Sequence, residues 1–209
     1  PKTFLFELLG KNPDLEADSV YARFALQDPL LRIANSYFGM QTTLGMYNAW
    51  HNFTTDAEPR ESQLWHRDRD DLHILKVFVY LTDIDAGSGP FTYARGSHVE
   101  GRSSSDPDLY RRRKARYTDE NFERMVSRDR WIEAIGPTGT MVFADTTGFH
   151  KGGLARKQDR IMYWCKFTSQ AGTGRTFGSF KVQTRPVDKS KAFAVTPRRS
   201  VRKSRSDSD

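Results

Sequence analysis

Two metal-ligating side chains stand one position apart in Trp65-His66-Arg67-Asp68. Along an extended chain, residues i and i+2 point to one face. His66 and Asp68 therefore point together, and Arg67 points away. A third ligand must come from elsewhere, and His150 fits. It lies in Gly148-Phe149-His150-Lys151-Gly152-Gly153, among small residues that let backbone crowd close to a site. Two imidazoles and one carboxylate leave three adjacent metal positions open, the arrangement of non-haem iron(II) oxygenases. A His-x-Asp triplet alone is weak evidence in a chain with five His. His51, His73 and His98 lack comparable surroundings and read as structural. Asp70 and Asp71 compete with Asp68. Asp70 shares its strand parity, but four residues along a strand is ~13 Å, too far to share a metal with His66.

An anion site goes with the metal site. Arg160 follows His150 by ten residues and opens the apolar run Ile161-Met162-Tyr163-Trp164-Cys165. A dicarboxylate needs such a cation, because guanidinium grips a carboxylate with two parallel hydrogen bonds. Arg156 is the alternative, but it sits in the polar stretch Ala155-Arg156-Lys157-Gln158, where solvated charge is expected. The run Ile74 to Thr82 adds a cavity wall. Leu75, Val77, Val79 and Leu81 form an apolar face suited to packing under helices. Lys76, Phe78, Tyr80 and Thr82 form a mixed face suited to a ligand cavity. Lys76 and Tyr80 are thus candidate co-substrate contacts.

These residues need a β scaffold, and the pattern supplies one. Residues 1–40 read as a helical lead. Asp18-Ser19 caps a segment from Val20 to Leu26, Pro29 starts a second helix, and Gly39 stops it. Short strands then follow: Thr42 to Phe53, Leu64 to His66, Ile74 to Thr82, Phe91 to Ala94, Trp131 to Ile135, Thr140 to Phe143, Phe149 to Lys151 and Arg160 to Thr168. Many short strands with Gly and Pro punctuation predict a sandwich, barrel or jelly roll. Between 97 and 130 the strand pattern stops, and a basic run, Arg111 to Arg116, precedes a helical stretch from Asp119 to Val126. An insert this long reads either as a solvated surface excursion or as a lid whose basic run faces an anionic substrate.

The 209 residues suit one domain, assigned to 1–184, with a hydrophobic fraction of 37% and a net charge of +7. Between Arg185 and Asp209 stand eight Lys or Arg and three acids, so five of the seven net charges lie there. That stretch reads as a solvated, disordered tail rather than a nucleic-acid contact. Removing it from Pro186 onward should then leave folding and metal binding intact. The single Cys165 excludes a disulfide framework and a Cys-rich zinc site, and suggests a cytoplasmic setting. No stretch approaches the ~20 apolar residues of a membrane span, and no secretory signal is apparent. The missing initiator Met suggests a fragment of a longer protein.

In order along the chain, Trp65-His66-Arg67-Asp68, Lys76-Val77-Phe78-Val79-Tyr80-Leu81-Thr82-Asp83, and Gly89-Pro90-Phe91-Thr92-Tyr93-Ala94-Arg95-Gly96-Ser97-His98 are followed by Gly139-Thr140, Phe143-Ala144-Asp145, His150 and Arg160. This set resembles the phytanoyl-CoA dioxygenase-like family over about Thr42 to Phe167. The resemblance implies a mainly β, double-stranded β-helix (jelly-roll, cupin-like) fold with the N-terminal helices packed on one sheet. It implies Fe(II) on His66, Asp68 and His150, and 2-oxoglutarate chelating that metal with its far carboxylate on Arg160. With O2 as oxidant, the expected activity is hydroxylation of a small organic molecule, 2-oxoglutarate becoming succinate and CO2. Ala94-Arg95 departs from the hydrophobic-Pro pair more usual before Gly-Ser-His, and the loop from His150 to Arg160 lacks a common Asn. Both departures concern the substrate rather than the triad. Two alternatives are an oxidative halogenase, which Asp68 argues against, and a non-catalytic jelly-roll module acting through the basic tail.

Overall fold

A computed structural model of the chain describes residues 4–101, 116–181 and 188–197. Its strands are β1 (Leu5–Glu7), β2 (Leu15–Glu16), β3 (Thr43–Asn52), β4 (Leu75–Tyr80), β5 (Phe91–Ala94), β6 (Trp131–Ala134), β7 (Met141–Asp145), β8 (His150–Gly152), β9 (Arg160–Thr168) and β10 (Phe180–Lys181). Its helices are α1 (Val20–Ala25), α2 (Asp28–Phe38), α3 (Asp119–Glu123) and α4 (Lys189–Ala194). A five-stranded antiparallel sheet, β1-β3-β9-β4-β7, lies against a three-stranded antiparallel sheet, β6-β5-β8. The short β2 and β10 pair in parallel beside them. This is the mainly β, double-stranded β-helix architecture with helices on one sheet.

Side-chain parity explains the layers. From β9, Tyr163, Cys165 and Phe167 point into a core shared with Leu26, Leu31 and Ala34 of the helical segment, while Met162 and Trp164 point into the space between the sheets. From β4, Leu75 and Val77 join the helix-side core, and Phe78 and Tyr80 join the other. Covered on both faces, β9 is buried almost throughout, which is why its sequence is nearly continuously apolar. Leu81 lies past the end of β4 and is 47% exposed, so the apolar face foreseen for that strand stops at Val79.

The helices begin and end where their chemistry dictates. The Ser19 hydroxyl accepts from the Ala22 N–H and caps α1. Pro29 lies in the first turn of α2, and Gly39 closes it in the left-handed conformation at φ 64°. The helical lead is nevertheless shorter than expected. Leu5–Glu7 is a strand on the edge of β3, with Leu5 buried and Phe6 exposed, a period of two that only pairing with β3 stabilises.

The expected tail also needs correction. From 188 it is not solvated throughout, because Asp188 caps α4 through the Lys191 N–H, and Ala194 and Val195 are buried in the helix-side core. Lys191 pairs with Asp28 at 2.7 Å. Removing residues 188–209 should therefore destabilise the fold by about 2–4 kcal/mol, from the lost apolar burial and cap. Thermal denaturation would show this as a fall of roughly 5–15 °C, and an unchanged melting temperature would restore the tail reading.

The described part of the insert also forms core. Phe122, on α3, is fully buried, and its ring stacks on Trp65 with centroids 4.2 Å apart. Tyr117, Val126 and Phe149 complete this third cluster. The basic run foreseen over 111–115 lies outside the described residues. Its last member, Arg116, donates to the Glu61 carbonyl at 2.6 Å. Phe122→Ala should cost about 3–5 kcal/mol in urea denaturation. A loss below about 1 kcal/mol would mean that this cluster is not integral to the fold.

Candidate metal and co-substrate site

The segment carrying His66 and Asp68 is extended but is not a ladder strand. His66 forms an isolated bridge with His150, each N–H bonding the other's carbonyl at 2.9 Å, and the Asp68 N–H reaches the Thr146 carbonyl at 2.8 Å. Alternate residues thus bond to one neighbouring segment, so the predicted parity survives without a regular strand. Arg67 points away, its guanidinium 5.2 Å from the Phe149 ring centre. One ligand atom each from His66, Asp68 and His150 lies within 4.8 Å of the others.

Protonation at this cluster suits a cation. The His66 Nδ1 bonds to the Leu64 carbonyl at 2.8 Å, and the His150 Nδ1 bonds to the Gly148 carbonyl at 2.9 Å. Carbonyls only accept, so each Nδ1 carries the proton and each Nε2 keeps a lone pair. Burial lowers the His66 pKa to about 3 and lowers that of His150 as well. Burial alone would raise the Asp68 carboxyl, but the Lys76 ammonium 2.6 Å away and the two histidines hold it well below the usual carboxylate range. At neutral pH both imidazoles are therefore neutral and the carboxyl is ionised, as metal ligands must be.

The other acids and histidines are engaged elsewhere. Asp70 pairs with Lys166 at 2.7 Å, and Asp71 accepts the Ser169 N–H. His51 meets Asp159, and His73 packs between Tyr37 and Phe38.

A cavity of about 60 Å³ adjoins the triad, with room for roughly four to six waters. His66, His150, Lys76 and Arg160 all line it. Arg160 is 3% exposed, and burial lowers its pKa to about 10. Its Nε and Nη1 have no hydrogen-bond partner among the described residues. Beside it, the Trp50 Nε1 and the Asn52 Oδ1 are likewise buried and unpartnered, and both residues line the same cavity. Asn52 stands opposite Arg160 in the β3–β9 register. Sequence reasoning missed Trp50 and Asn52, because only that long-range register brings them to Arg160.

Arg156 lies where its polar surroundings predict, and Tyr80 departs from its expected role. Arg156 donates to the Thr55 carbonyl in an exposed loop. Tyr80 is buried beside this region, but its hydroxyl donates to the Ala134 carbonyl and it is not part of the cavity wall. No helix among the described residues is long and apolar enough to cross a membrane.

No family model matches the chain, and no curated protein matches it. Solved structures do resemble it. HygX from Streptomyces hygroscopicus, with nickel, 2-oxoglutarate and hygromycin B bound, is 17% identical over 80% of this chain and 70% of its own, with a TM-score of 0.54. EctD from S. alaskensis in its apo form is 18% identical over 78% of this chain and 58% of its own, with a TM-score of 0.53. EctD with 2-oxoglutarate and 5-hydroxyectoine is 16% identical over 88% and 62%, with a TM-score of 0.52. The chain thus spans only about three fifths of EctD. What it shares with these proteins is the double-stranded β-helix fold.

Proposed function

We propose that the chain is an Fe(II)- and 2-oxoglutarate-dependent oxygenase of the phytanoyl-CoA dioxygenase-like kind, hydroxylating a small organic molecule. The observation that carries this reading is the cavity beside the His-Asp-His cluster. In it two kinds of donor, a buried guanidinium and an indole N–H, have no partner among the described residues. A buried charge without a counter-ion is costly, and a carboxylate entering from the metal side satisfies it.

His66, Asp68 and His150 would hold the iron. Arg160 and Trp50 would donate to the far carboxylate of 2-oxoglutarate. Lys76 pairs with Asp68 and lines the same cavity, and would meet the near end of the same molecule. When bound, iron(II) with 2-oxoglutarate and O2 supplies an oxidant for an unactivated C–H bond, 2-oxoglutarate leaving as succinate and CO2. The chain's own work is positional. The Leu64 and Gly148 carbonyls fix both imidazole rings, the Lys76 ammonium holds Asp68, and Phe78, Phe91 and Met162 line the cavity with apolar surface that keeps water out.

Mn(II) and 2-oxoglutarate together should raise the melting temperature more than either alone, by mass action on the folded state. His150→Ala should erase the joint effect. A chain indifferent to 2-oxoglutarate with and without metal would refute the reading.

A further inference from the structure

We propose that a second cavity, separate from the one beside Arg160, seats the molecule to be oxidised, and that this molecule is a carboxylate on an apolar body. The proposal rests on the oxygenase reading above. The cavity measures about 340 Å³, within the size range of small-molecule sites. It opens between β6 and β7, the edge strands of the two sheets, and its walls include Tyr93, Val142 and Ala144. Ile132 and Phe143 stand at it, 47% and 38% exposed. Ile135, just past β6, and Met141, the first residue of β7, are exposed beside them. So much uncovered apolar surface around a cavity marks a binding site for an apolar body.

The charge comes from Arg95. It lines the cavity, is exposed, and has no side-chain partner among the described residues. The acid at the opposite wall, Asp145, is spoken for. Its carboxylate accepts from the Tyr37 hydroxyl, the His73 Nδ1, the Ile74 and Thr147 N–H groups and the Thr147 hydroxyl. An ammonium ligand would find that carboxylate already occupied, whereas a carboxylate finds the Arg95 guanidinium.

The cavity also borders the triad. Tyr93 stands opposite His150 in the β5–β8 ladder. Phe91 lines both cavities, with its ring 5.6 Å from the His150 ring. Phe91 thus belongs to both walls, which places the second cavity next to the one beside the triad. The end of the ligand remote from Arg95 is the end offered for oxidation.

The test uses 4-phenylbutyrate and its neutral amide, followed by ligand-observed NMR with the chain metal-free and then loaded with Mn(II) and 2-oxoglutarate. The acid should bind at one site about five- to tenfold more tightly than the amide, the worth of a partly exposed charge-assisted pair. Arg95→Gln should abolish that difference and leave 2-oxoglutarate binding unchanged. Ile132→Trp, at a half-exposed position, should block the mouth and weaken both ligands. With Mn(II) bound, the phenyl protons should relax faster than the methylene beside the carboxylate. Equal binding of acid and amide, or indifference to Arg95→Gln and Ile132→Trp, overturns the site. Arg95-dependent binding with no effect of bound Mn(II) overturns its role in seating the substrate. If Mn(II) and 2-oxoglutarate do not bind while 4-phenylbutyrate does through Arg95, the ligand site stands and the oxygenase reading falls.

Discussion

Asp68→Ala should abolish iron binding and succinate formation together. Asp68 is the one anion of the candidate triad, and its carboxylate oxygen lies 3.9 Å from the His150 Nε2 and 2.6 Å from the Lys76 ammonium. Without it, two neutral imidazoles face an unpaired lysine, and a divalent cation meets net positive charge. Partners one step removed from a metal typically contribute 10–100-fold in affinity, so losing the ligand itself should exceed about 100-fold. Asp68→Asn keeps the shape and removes the charge, and it should fall nearly as far. Calorimetric titration with iron(II) under anaerobic conditions reads the first effect, and succinate analysis reads the second. Full succinate production by Asp68→Ala would contradict the assignment.

Arg160→Ala should cripple 2-oxoglutarate binding while leaving the metal in place. Truncating one partner of a buried charge pair costs on the order of 2–5 kcal/mol, because the other charge is left unmatched. That is roughly a 30- to several-thousand-fold weaker affinity. Arg160→Lys should recover only part, since an ammonium does not reproduce the two-pronged grip. Arg156→Ala is the control and should change little, because its guanidinium serves an exposed loop. The anaerobic dissociation constant of 2-oxoglutarate, measured for all three variants, decides the matter. A crippled Arg156→Ala beside a normal Arg160→Ala would move the anion site to the loop. If both were silent, Lys76 would be the next residue to test.

What was legible in the sequence was what local chemistry controls. Ser19, Pro29 and Gly39 announce the two N-terminal helices, and they cap, start and stop them in the structure. The alternation around Lys76 and the length of the run from Arg160 announce β4 and β9 because side-chain parity is set within the strand. The convergence of His66, Asp68 and His150 was legible because one extended segment carries two of the three.

What depends on distant partners was not legible. Leu5-Phe6-Glu7 has no local mark of a strand and becomes one only against β3. The stretch after Asp188 reads as solvated charge, yet Ala194 and Val195 find a core built by α1 and α2. Lys76 was foreseen as a cavity residue, but its pairing with Asp68 crosses between elements that only the fold brings together. Trp50 and Asn52 join Arg160 through the β3–β9 register alone.

The most direct test of the central claim is an anaerobic iron(II) titration of the chain with and without 2-oxoglutarate. The account predicts one iron per chain and one 2-oxoglutarate whose binding is strengthened by the metal. Linkage requires 2-oxoglutarate to tighten the iron by the same factor. No saturable iron uptake, or iron and 2-oxoglutarate binding independently of each other and of His66, Asp68 and His150, would contradict it.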